Sequence, residues 1–588
     1  MTNKNQNTEL ENMRHSFAHL LAAAVLDLWP DTKLAIGPAI ENGFYYDFDF
    51  ARPISDSDLP KIEKKMGEIL PTWDKFEKIS ETIDSAQSRY MGNSYKNELI
   101  QEITGKGEKI TSYKSENFVD LCRGGHVKSA KEIKPDAFKL THIAGAYWRG
   151  SEKNKMLTRI YGAAFANKKE LDAHLKQMEE AKKRDHKKLG QELDLFVFSD
   201  VVGKGLPLLT PKGSVIRREL ERFIVDEEIK RGYLHVYTPD IANLKLYEKS
   251  GHYPYYKDSM YAPITIDNEQ YMLRPMTCPH HYELYLSRPR SYRELPMRIA
   301  EMAHLYRYEQ SGELSGLLRV RTFTLADAHI ICSGAQQAKK EIAGALDLIE
   351  FVAKTFGLKM GKDYWYRLSL GERGDAKKYY KNDKAWNESE KLLRALLKER
   401  KADYIEAEGE AAFYGPKIDI QMKNVNGKED TMFTVQYDFV GPERFKLDYT
   451  DKDGEGKRAV VVHRSSIGAI ERSMAFLIEY YAGAFPAWLS PVQIWVLPIS
   501  DKFNAYGEKI AEQLKEAGVR VELRDEAESL GKKIRNGELQ KIPYLLIVGE
   551  KETKTGTVAV RDRSKGDIGS MKLDKFLEKI LKEIIDKK

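Results

Sequence analysis

The stretch Ala303–Cys332, AHLYRYEQSGELSGLLRVRTFTLADAHIIC, decides the fold of this chain. Its pattern predicts a strand ending at Glu309, a loop in which serine and glycine favour a turn, and a returning strand. An antiparallel hairpin of this kind brings Arg307 and Arg319 near each other, and guanidinium forks on strands suit a polyphosphate because each can bind two oxygens. Phe323 is placed to stack on a purine. For any one arginine alone, a hairpin with a solvated surface side chain remains the alternative.

Length and composition exclude several classes of protein. The 588 residues are enough for about four domains. With 42% hydrophobic and 31% charged residues the chain is an ordinary folded protein, and a net charge of +6 is only weak support for a polyanionic partner. No apolar run approaches the ~18 residues that span a bilayer, and the polar N-terminus lacks the apolar segment of a secretion signal. Three cysteines indicate a reducing compartment, so we expect a cytoplasmic protein that does not bind membranes.

Three segments together carry a family resemblance. The hairpin reads Arg-x-Glu, a Gly-rich loop, then Arg-x-Arg-x-Phe-Thr, which resembles motif 2 of the class II aminoacyl-tRNA synthetases. Asp327-Ala328-His329 narrows the resemblance to the threonyl-tRNA synthetases. A helix from Pro211 and a following strand that ends in Thr238-Pro239 resemble motif 1, which builds a dimer interface in the family, although proline there also fits a plain edge strand or bulge. Gly468-x-x-Glu-Arg resembles motif 3 and puts Arg472 near a helix N-terminus, beside the γ-phosphate of ATP.

The resemblance implies substrate roles for particular residues. ATP would be bound, with Mg²⁺, by Arg307, Glu309, Arg319, Phe323, Gln436 and Arg472. The catalytic pair would be Arg307 and Arg472. Threonine would be bound by Asp327, at its ammonium group, and by Tyr414 and Gln436. Leu325 and Thr431 stand where many members have glutamine, which implies that two polar contacts to the adenylate are missing.

Cys278, His329 and His463 are far apart in sequence, so their spacing alone does not indicate a metal. Each stands where threonyl-tRNA synthetases have a ligand to one catalytic-domain Zn²⁺ per subunit. Three protein ligands leave a coordination position open, to which threonine can bring an amino and a hydroxyl group. Valine lacks the hydroxyl, and an apolar pocket alone separates such isosteres weakly. Serine has both groups and would enter, which explains why one chain would carry a second, hydrolytic site.

The first region contains four candidate ligands or proton carriers. An apolar helical stripe over 11–29 puts His15 and His19 on one face. Cys122 and His126 lie in a glycine-rich loop, Cys-Arg-Gly-Gly-His. Four nitrogen and sulfur groups are the right number for a tetrahedral metal, and without a metal the same groups can orient a water and move protons. Two histidines at helical spacing alone would more simply be core or surface residues.

These four residues resemble the editing site of threonyl-tRNA synthetases, which the alanyl enzymes share in outline. The resemblance implies hydrolysis of seryl-tRNA(Thr) without a bound metal, although the residues alone indicate zinc. Gly125 stands where most members have proline, and we expect it to loosen the loop. Because His15 lies so near the start, we expect the form that lacks the N-terminal ubiquitin-like domain. The charged, proline-free segment 167–196 predicts one long amphipathic helix between domains, its lysines solvated rather than bound to RNA.

Residues 492–548 alternate strand and helix patterns, which predicts a small sheet with helices on its faces. The region resembles the C-terminal anticodon-binding domain of the threonyl, prolyl, glycyl and histidyl enzymes. Arg561 and Arg563 would then hydrogen-bond or stack on exposed anticodon bases. Ala527 stands where the family has an asparagine.

The expected fold class is a multidomain α+β and α/β protein. We predict an editing domain over 1–166, a linker helix over 167–197, a class II antiparallel-sheet catalytic core with flanking helices over 198–488, and an α/β anticodon-binding domain over 489–588. The resemblance implies a homodimer that activates L-threonine with ATP, charges tRNA(Thr) and hydrolyses seryl-tRNA(Thr). Two alternatives stay open. One is a synthetase-like RNA-binding or regulatory protein without aminoacylation, supported only by Leu325, Thr431 and Ala527; the other is a free-standing zinc hydrolase, favoured by the first region alone.

Overall fold

The computed structural model describes residues 2–375, 377–425 and 427–588, and for residues 2–7, 254 and 255 it describes only the backbone. The chain divides into two compact units, residues 1–179 and 180–588. Among the described residues, none of the helices combines the length and hydrophobicity that a bilayer crossing requires.

The first unit packs a long helix against an antiparallel sheet. Its elements are α1 (Thr2–Leu28), β1 (Lys33–Leu34), β2 (Ala39–Ile40), β3 (Gly43–Asp49), α2 (Leu59–Ile69), β4 (Glu77–Glu81), α3 (Ile83–Arg89), α4 (Ser94–Gly105), β5 (Ile110–Ser115), β6 (Phe118–Leu121), β7 (Phe138–Tyr147) and β8 (Met156–Ala164). The main sheet has the order β1–β3–β8–β7 with β2 on β3, and a smaller one has the order β4–β5–β6. The apolar stripe predicted on α1 is confirmed, because Phe17, Leu21 and Val25 are fully buried in the core of this unit.

Two helices follow where one was predicted over 167–196, so that prediction was wrong. They are α5 (Lys168–Arg184) and α6 (His186–Glu192). Asp185 separates them: its carboxylate accepts hydrogen bonds from the backbone N–H groups of Lys187 and Lys188 and caps α6. Aspartate favours such caps over helix interiors because its side chain competes for backbone donors. Because the segment contains many charged residues, this aspartate could not be recognised from the sequence as the end of a helix.

The remaining elements before the C-terminal region build the core of the second unit. They are β9 (Phe196–Val197), β10 (Leu208–Leu209), α7 (Pro211–Lys230), β11 (Leu234–His235), β12 (Ile241–Asn243), α8 (Leu244–Ser250), α9 (His252–Tyr255), β13 (Ile264–Ile266), β14 (Glu269–Leu273), α10 (Cys278–Leu286), β15 (Met297–Tyr306), β16 (Thr322–Cys332), α11 (Ala335–Thr355), β17 (Tyr364–Leu370), α12 (Asp383–Glu399), β18 (Tyr404–Glu408), β19 (Lys417–Lys423), β20 (Glu429–Asp438), α13 (Gly441–Phe445), β21 (Asp448–Thr450), β22 (Gly456–Arg458), β23 (Val460–Ala469) and α14 (Ile470–Tyr480). In the described part of the chain, eight of these strands form one sheet, in the order β11–β15–β16–β23–β20–β19–β17–β18. The six central strands pair antiparallel, as predicted. Helices α7, α11 and α14 share one hydrophobic core with this sheet.

The strand predicted to end in Thr238-Pro239 stops at His235, so this part of the prediction was wrong. β11 runs parallel to β15, whereas β12 pairs with β14 in a different sheet. Pro239 lies between the two, and proline has no N–H to donate to a strand ladder. The helix expected before it is confirmed as α7. It ends just before Gly232, whose φ is 79°.

The C-terminal region has the predicted alternation of strands and helices. It contains β24 (Ile494–Pro498), α15 (Asn504–Glu516), β25 (Val521–Leu523), α16 (Leu530–Leu539), β26 (Tyr544–Val548), α17 (Glu550–Thr555), β27 (Thr557–Asp562), β28 (Gly566–Lys572) and α18 (Leu573–Ile585). The sheet order is β25–β24–β26–β27–β28. The first three strands are parallel and the last two antiparallel, so the sheet is mixed.

Candidate functional site

A cavity of about 530 Å³ opens on one face of the core sheet. β16 lines the cavity with one face and packs into the core with the other, because side chains alternate between the two faces of a strand. Four side chains of β16 line the cavity: Phe323, Leu325, Asp327 and His329. The alternate ones lie in the hydrophobic core: Ala326, Ala328, Ile330 and Cys332. One strand therefore supplies both a reactive face and a packing face.

The predicted hairpin is formed by β15 and β16, with Tyr306 paired to Thr322. The first strand ends at Tyr306, three residues earlier than expected, and Arg307 and Glu309 lie in the loop. The Arg307 guanidinium carbon lies 5.1 Å from the centroid of the Phe323 ring. Arg319 Nε donates to the Glu309 carboxylate at 2.7 Å. All four side chains line the cavity, so the structure brings together the residues predicted to bind ATP on this hairpin.

Arg472 enters the same cavity from the first turn of α14. Its Nε donates to the carbonyl of Leu318 at 3.2 Å, and its Nη1 to the carbonyl of Thr431 at 3.2 Å. Burial, and then the neighbouring charge of Arg307, lower the pKa of the Arg472 guanidinium. Several guanidinium groups facing one space repel each other, and a polyanion relieves this repulsion.

Cys278, His329 and His463, called here the metal cluster, converge although they are far apart in sequence. His329 on β16 is directly paired with His463 on β23, and Cys278 is the first residue of α10. The three possible ligand atoms lie within 4.8 Å of one another, and all three residues are buried. The pairing of two neighbouring strands brings the two histidines together, and the start of α10 adds the cysteine.

The ring nitrogens of the metal cluster have further partners that the sequence did not reveal. His463 Nε2 lies 2.8 Å from Asp438 Oδ2. His329 Nδ1 lies 2.8 Å from His281 Nδ1, and the other nitrogen of His281 lies 3.2 Å from Glu301. Such partners fix the tautomer and orientation of a metal-binding histidine. The available signals were the second histidine after Cys-Pro-His and an aspartate two residues beyond Gln436.

Glu301 is the buried carboxylate at the end of the hydrogen-bonded chain His329–His281–Glu301. Burial alone would raise the pKa of its carboxyl, but hydrogen bonds from His281 and Thr238 and the charge of Arg274 lower it to about 2. The carboxylate is therefore ionised and can only accept.

The residues predicted to bind threonine lie beside the metal cluster. Gln436 is paired with His463 across the sheet, and Tyr414 donates to the Gln436 side chain at 2.5 Å. The Tyr414 ring stacks on His463, with 4.9 Å between centroids. Asp327 is buried, and burial raises the pKa of its carboxyl. A cationic substrate group beside it would favour the ionised form.

Leu325 and Thr431, which stand where many members of the family have glutamine, both line this cavity. Thr431 is held from two sides: its hydroxyl accepts from Gln421 Nε2, and its carbonyl accepts from Arg472. The threonine thus helps to hold Arg472 through its backbone, which any residue at this position could do.

His15, His19, Cys122 and His126, called here the editing cluster, meet in the first unit with their ligand atoms within 4.8 Å of one another. Cys122 Sγ lies 3.5 Å from His15 Nε2 and 3.3 Å from His126 Nε2. Burial lowers the pKa of the His15 and His19 imidazoles and raises that of the Cys122 thiol to about 11. The cluster therefore presents neutral imidazoles and a protonated thiol.

Gly125 gives the loop of the editing cluster a specific path. Gly124 and Gly125 have φ values of 112° and 87°, and proline cannot adopt either. The Gly125 carbonyl lies 3.2 Å from His15 Nδ1. Below the loop, Asp120 forms a fully buried ion pair with Lys96 and accepts from the hydroxyl of Tyr46, a network that sequence reasoning missed.

The two arginines predicted to read the anticodon differ in their surroundings. Arg561, on β27, is 36% exposed and pairs with Glu538 at 2.9 Å. Arg563 donates to the backbone carbonyls of Lys541, Ala484 and Phe485, and burial lowers its pKa. These bonds give Arg563 a structural role, because they hold the segment before β24 against the C-terminal region.

Comparisons with known proteins agree with this architecture. The family model for the tRNA synthetase class II core domain (G, H, P, S and T) matches residues 261–481, that for an anticodon binding domain 493–583, and that for the threonyl and alanyl tRNA synthetase second additional domain 110–161. The solved structure of the RNA binding domain of threonyl-tRNA synthetase from Cryptosporidium parvum Iowa II has a TM-score of 0.64 at 34% identity, over 68% of this chain and 98% of that one. A putative threonyl-tRNA synthetase from Aeropyrum pernix has a TM-score of 0.61 at 28% identity, over 69% and 96%. The predicted fold class is thereby confirmed.

Curated relatives match over almost the whole chain. The threonine–tRNA ligase of Clostridium botulinum (strain Alaska E43 / Type E3) is 51% identical over 577 residues, which are 98% of this chain and 89% of the relative. That of Halalkalibacterium halodurans is 48% identical over 579 residues, with the same coverage of 98% and 89%. Such agreement along both units makes this chain a member of the threonine–tRNA ligase family.

Proposed function

We propose that this chain is a threonine–tRNA ligase, which activates L-threonine with ATP and transfers it to tRNA(Thr). One observation carries the proposal: a single cavity holds both the metal cluster and the guanidinium groups of Arg307, Arg319 and Arg472. Fixed cations suit a triphosphate, and thiol and imidazole groups suit a metal that selects an amino acid. A plain hydrolase or a plain RNA-binding protein needs no such combination.

Activation is an in-line displacement at the α-phosphorus of ATP. An oxygen of the threonine carboxylate forms the new bond as the bond to pyrophosphate breaks. Arg307 and Arg472, with the Mg²⁺ that accompanies ATP, offset the charge that grows on the phosphate oxygens, so catalysis is mainly positioning and electrostatics. Glu309 accepts from the adenine amino group and Phe323 packs on the ring. A terminal ribose hydroxyl of the tRNA then attacks the adenylate carbonyl, and AMP leaves.

The donor set of the metal cluster fits Zn²⁺, because one thiol and two imidazoles with engaged distal nitrogens are typical zinc ligands. Burial raises the pKa of the Cys278 thiol, and a nearby metal cation is what would convert it to a thiolate. When bound, zinc supplies an open position for the amino and hydroxyl groups of threonine, a pair that valine lacks. Asp327, Tyr414 and Gln436 orient the same substrate.

Amino-acid-dependent ATP–pyrophosphate exchange tests the ligase proposal. We expect strong exchange with threonine, weaker exchange with serine, and none above background with valine. Absence of exchange with all three, in metal-replete protein, would falsify the proposal and direct attention to Leu325 and Thr431.

An Asp438→Asn variant is expected to bind zinc about 10–100-fold more weakly, the usual effect of losing an outer partner of a metal ligand. The carboxylate makes His463 Nε2 a donor, whereas an asparagine N–H in its place favours the tautomer whose Nδ1–H faces the metal cluster. Oδ1 of Asp438 accepts from the N–H groups of Val440 and Gly441, and the asparagine carbonyl retains those bonds.

Zinc retention against a competing chelator measures this effect without relying on catalysis. Asp453→Asn, at an exposed aspartate far from the cavity, is the matched control. Equal zinc affinity in the Asp438 and Asp453 variants would contradict the assigned role of Asp438.

We also infer that the editing cluster hydrolyses seryl-tRNA(Thr) without a metal. Its neutral imidazoles support this inference, because such a group can take the proton of a water that attacks the ester carbonyl. Serine shares the amino and hydroxyl groups of threonine, so the synthetic cavity alone cannot exclude it, and a separate hydrolytic site meets that need.

The partners and domain limits follow from the same proposal. We assign residues 1–166 to editing, 167–197 to the linker, 198–488 to synthesis and 489–588 to the anticodon. A homodimer is supported by exposed apolar side chains around the motif 1 segment, with Tyr237 94% and Leu234 58% exposed. Free cysteines support a reducing location, and we infer that the enzyme acts in the cytoplasm.

A further inference from the structure

His186, the first residue of α6, joins three separate segments of the second unit. Its Nδ1 lies 2.7 Å from Glu479 Oε1, on α14. Its Nε2 accepts a hydrogen bond from the backbone N–H of Leu317, in the loop between β15 and β16, at 3.1 Å. His186 is 2% exposed and Leu317 is fully buried, so water cannot compete for either bond.

The two partners give each ring nitrogen one role. The backbone N–H can only donate, so Nε2 must be unprotonated, and the Glu479 carboxylate then accepts the proton on Nδ1. The carboxamides of asparagine and glutamine also carry a donor and an acceptor, but they place these groups at different distances from Cβ than Nδ1 and Nε2 of histidine. An asparagine can imitate Nδ1 and a glutamine can imitate Nε2, but neither can satisfy both partners.

The backbone of the β15–β16 loop packs closely against His186 at Gly316. Gly316 has a φ of 48°, and a Cβ at that position would lie 2.1 Å from His186 Nε2. Glycine tolerates both the conformation and the close approach. The carbonyl of Leu318, two residues later, accepts from Arg472 Nε at 3.2 Å. A continuous set of contacts therefore runs from His186 through the loop to the arginine that faces the cavity.

We propose that His186 is a positioning residue for nucleotide binding. By fastening the β15–β16 loop to α14, it keeps Arg319 and Arg472 directed at the same space in the cavity. The residue does not line the cavity itself, so it acts through the loop rather than on the substrate. The proposal rests on the proposed function only in naming ATP as the nucleotide.

Two substitutions separate this role from a purely structural one. His186→Asn keeps a donor toward Glu479 and loses the bond to the loop; His186→Gln keeps an acceptor for Leu317 and loses the donor toward Glu479. The asparagine variant leaves the buried Leu317 N–H without its partner. The glutamine variant leaves Glu479 Oε1 with only the backbone N–H of residue 186, at 3.5 Å, so we expect both to lower the Tm. In ATP–pyrophosphate exchange, His186→Asn is expected to raise the KM for ATP about three- to tenfold, in line with one lost hydrogen bond, with the KM for threonine changed less than about twofold. His186→Gln is expected to retain the ATP KM of the parent.

Lys188→Ala, at an exposed lysine on the same helix, is the control and should match the parent in both constants. Equal shifts in the ATP KM for the asparagine and glutamine variants, or a shift confined to threonine, would overturn the positioning role. Amide hydrogen exchange at Leu317 in the unliganded protein gives a second readout that needs no catalysis. It should be faster in His186→Asn than in His186→Gln, and equal rates would also overturn the proposal. If the parent shows no ATP–pyrophosphate exchange, the proposed function fails while hydrogen exchange still decides the role of His186.

Discussion

An Arg472→Ala variant is expected to lose about 10²–10³-fold in kcat/KM for threonine-dependent ATP–pyrophosphate exchange, the effect of removing one fixed donor to developing charge. The side chain is partly buried at the start of α14, and its two hydrogen bonds go to backbone carbonyls. Among the described residues no carboxylate forms an ion pair with it, so its charge is available to a phosphate. Steady-state exchange over a range of ATP concentrations measures the loss.

Arg472→Lys refines this test. Lysine keeps the charge but not the planar fork, so we expect a loss intermediate between the parent and the alanine variant. Arg218→Ala, at an exposed arginine on α7, controls for the removal of a positive charge elsewhere. Activity of Arg472→Ala within about threefold of the parent would remove Arg472 from the catalytic pair.

A His19→Ala variant is expected to deacylate seryl-tRNA(Thr) about 10²–10⁴-fold more slowly, the usual range for loss of a general base. His19 is buried, and burial holds its pKa well below that of a free imidazole. The side chain is therefore unprotonated at neutral pH and able to accept a proton from water. Release of serine from preformed seryl-tRNA measures the rate.

The same variant should keep threonine-dependent ATP–pyrophosphate exchange within about twofold of the parent, because His19 belongs to the first unit and the exchange chemistry to the second. His142→Ala, on β7 and outside the editing cluster, is the matched histidine control. Deacylation by His19→Ala at the parental rate would rule out this histidine as the base.

The sequence alone was sufficient to predict features that depend on a local pattern within neighbouring strands or one helix. The hairpin of β15 and β16 and the four-residue spacing of His15 and His19 are local patterns, and the structure has both. The convergence of the metal cluster was expected only from the family resemblance, since its members come from three elements. The register of β16 against β23 brings the two histidines together and the packing of α10 adds Cys278, and no local pattern specifies either.

The features that were missed depend on contacts between distant segments. Asp438 and His281 are recognisable as partners of histidines only when the strands and α10 are packed. His186 lies in the segment predicted as a linker helix, and its role depends on a loop and a helix far along the chain. The break at Asp185 was missed because a capping aspartate in a segment dense with charge resembles any solvated side chain.

The alternation of cavity-lining and core side chains along β16 limits how this enzyme can evolve. A substitution between Thr322 and Cys332 acts first on the face that the side chain occupies, either the cavity or the hydrophobic core. Insertion or deletion of one residue there would exchange the two faces beyond that point, sending Ala328 or Ile330 into the cavity and His329 into the hydrophobic core. Homologous strands should therefore keep a constant length, and substitutions within them should avoid the cavity-lining Asp327 and His329.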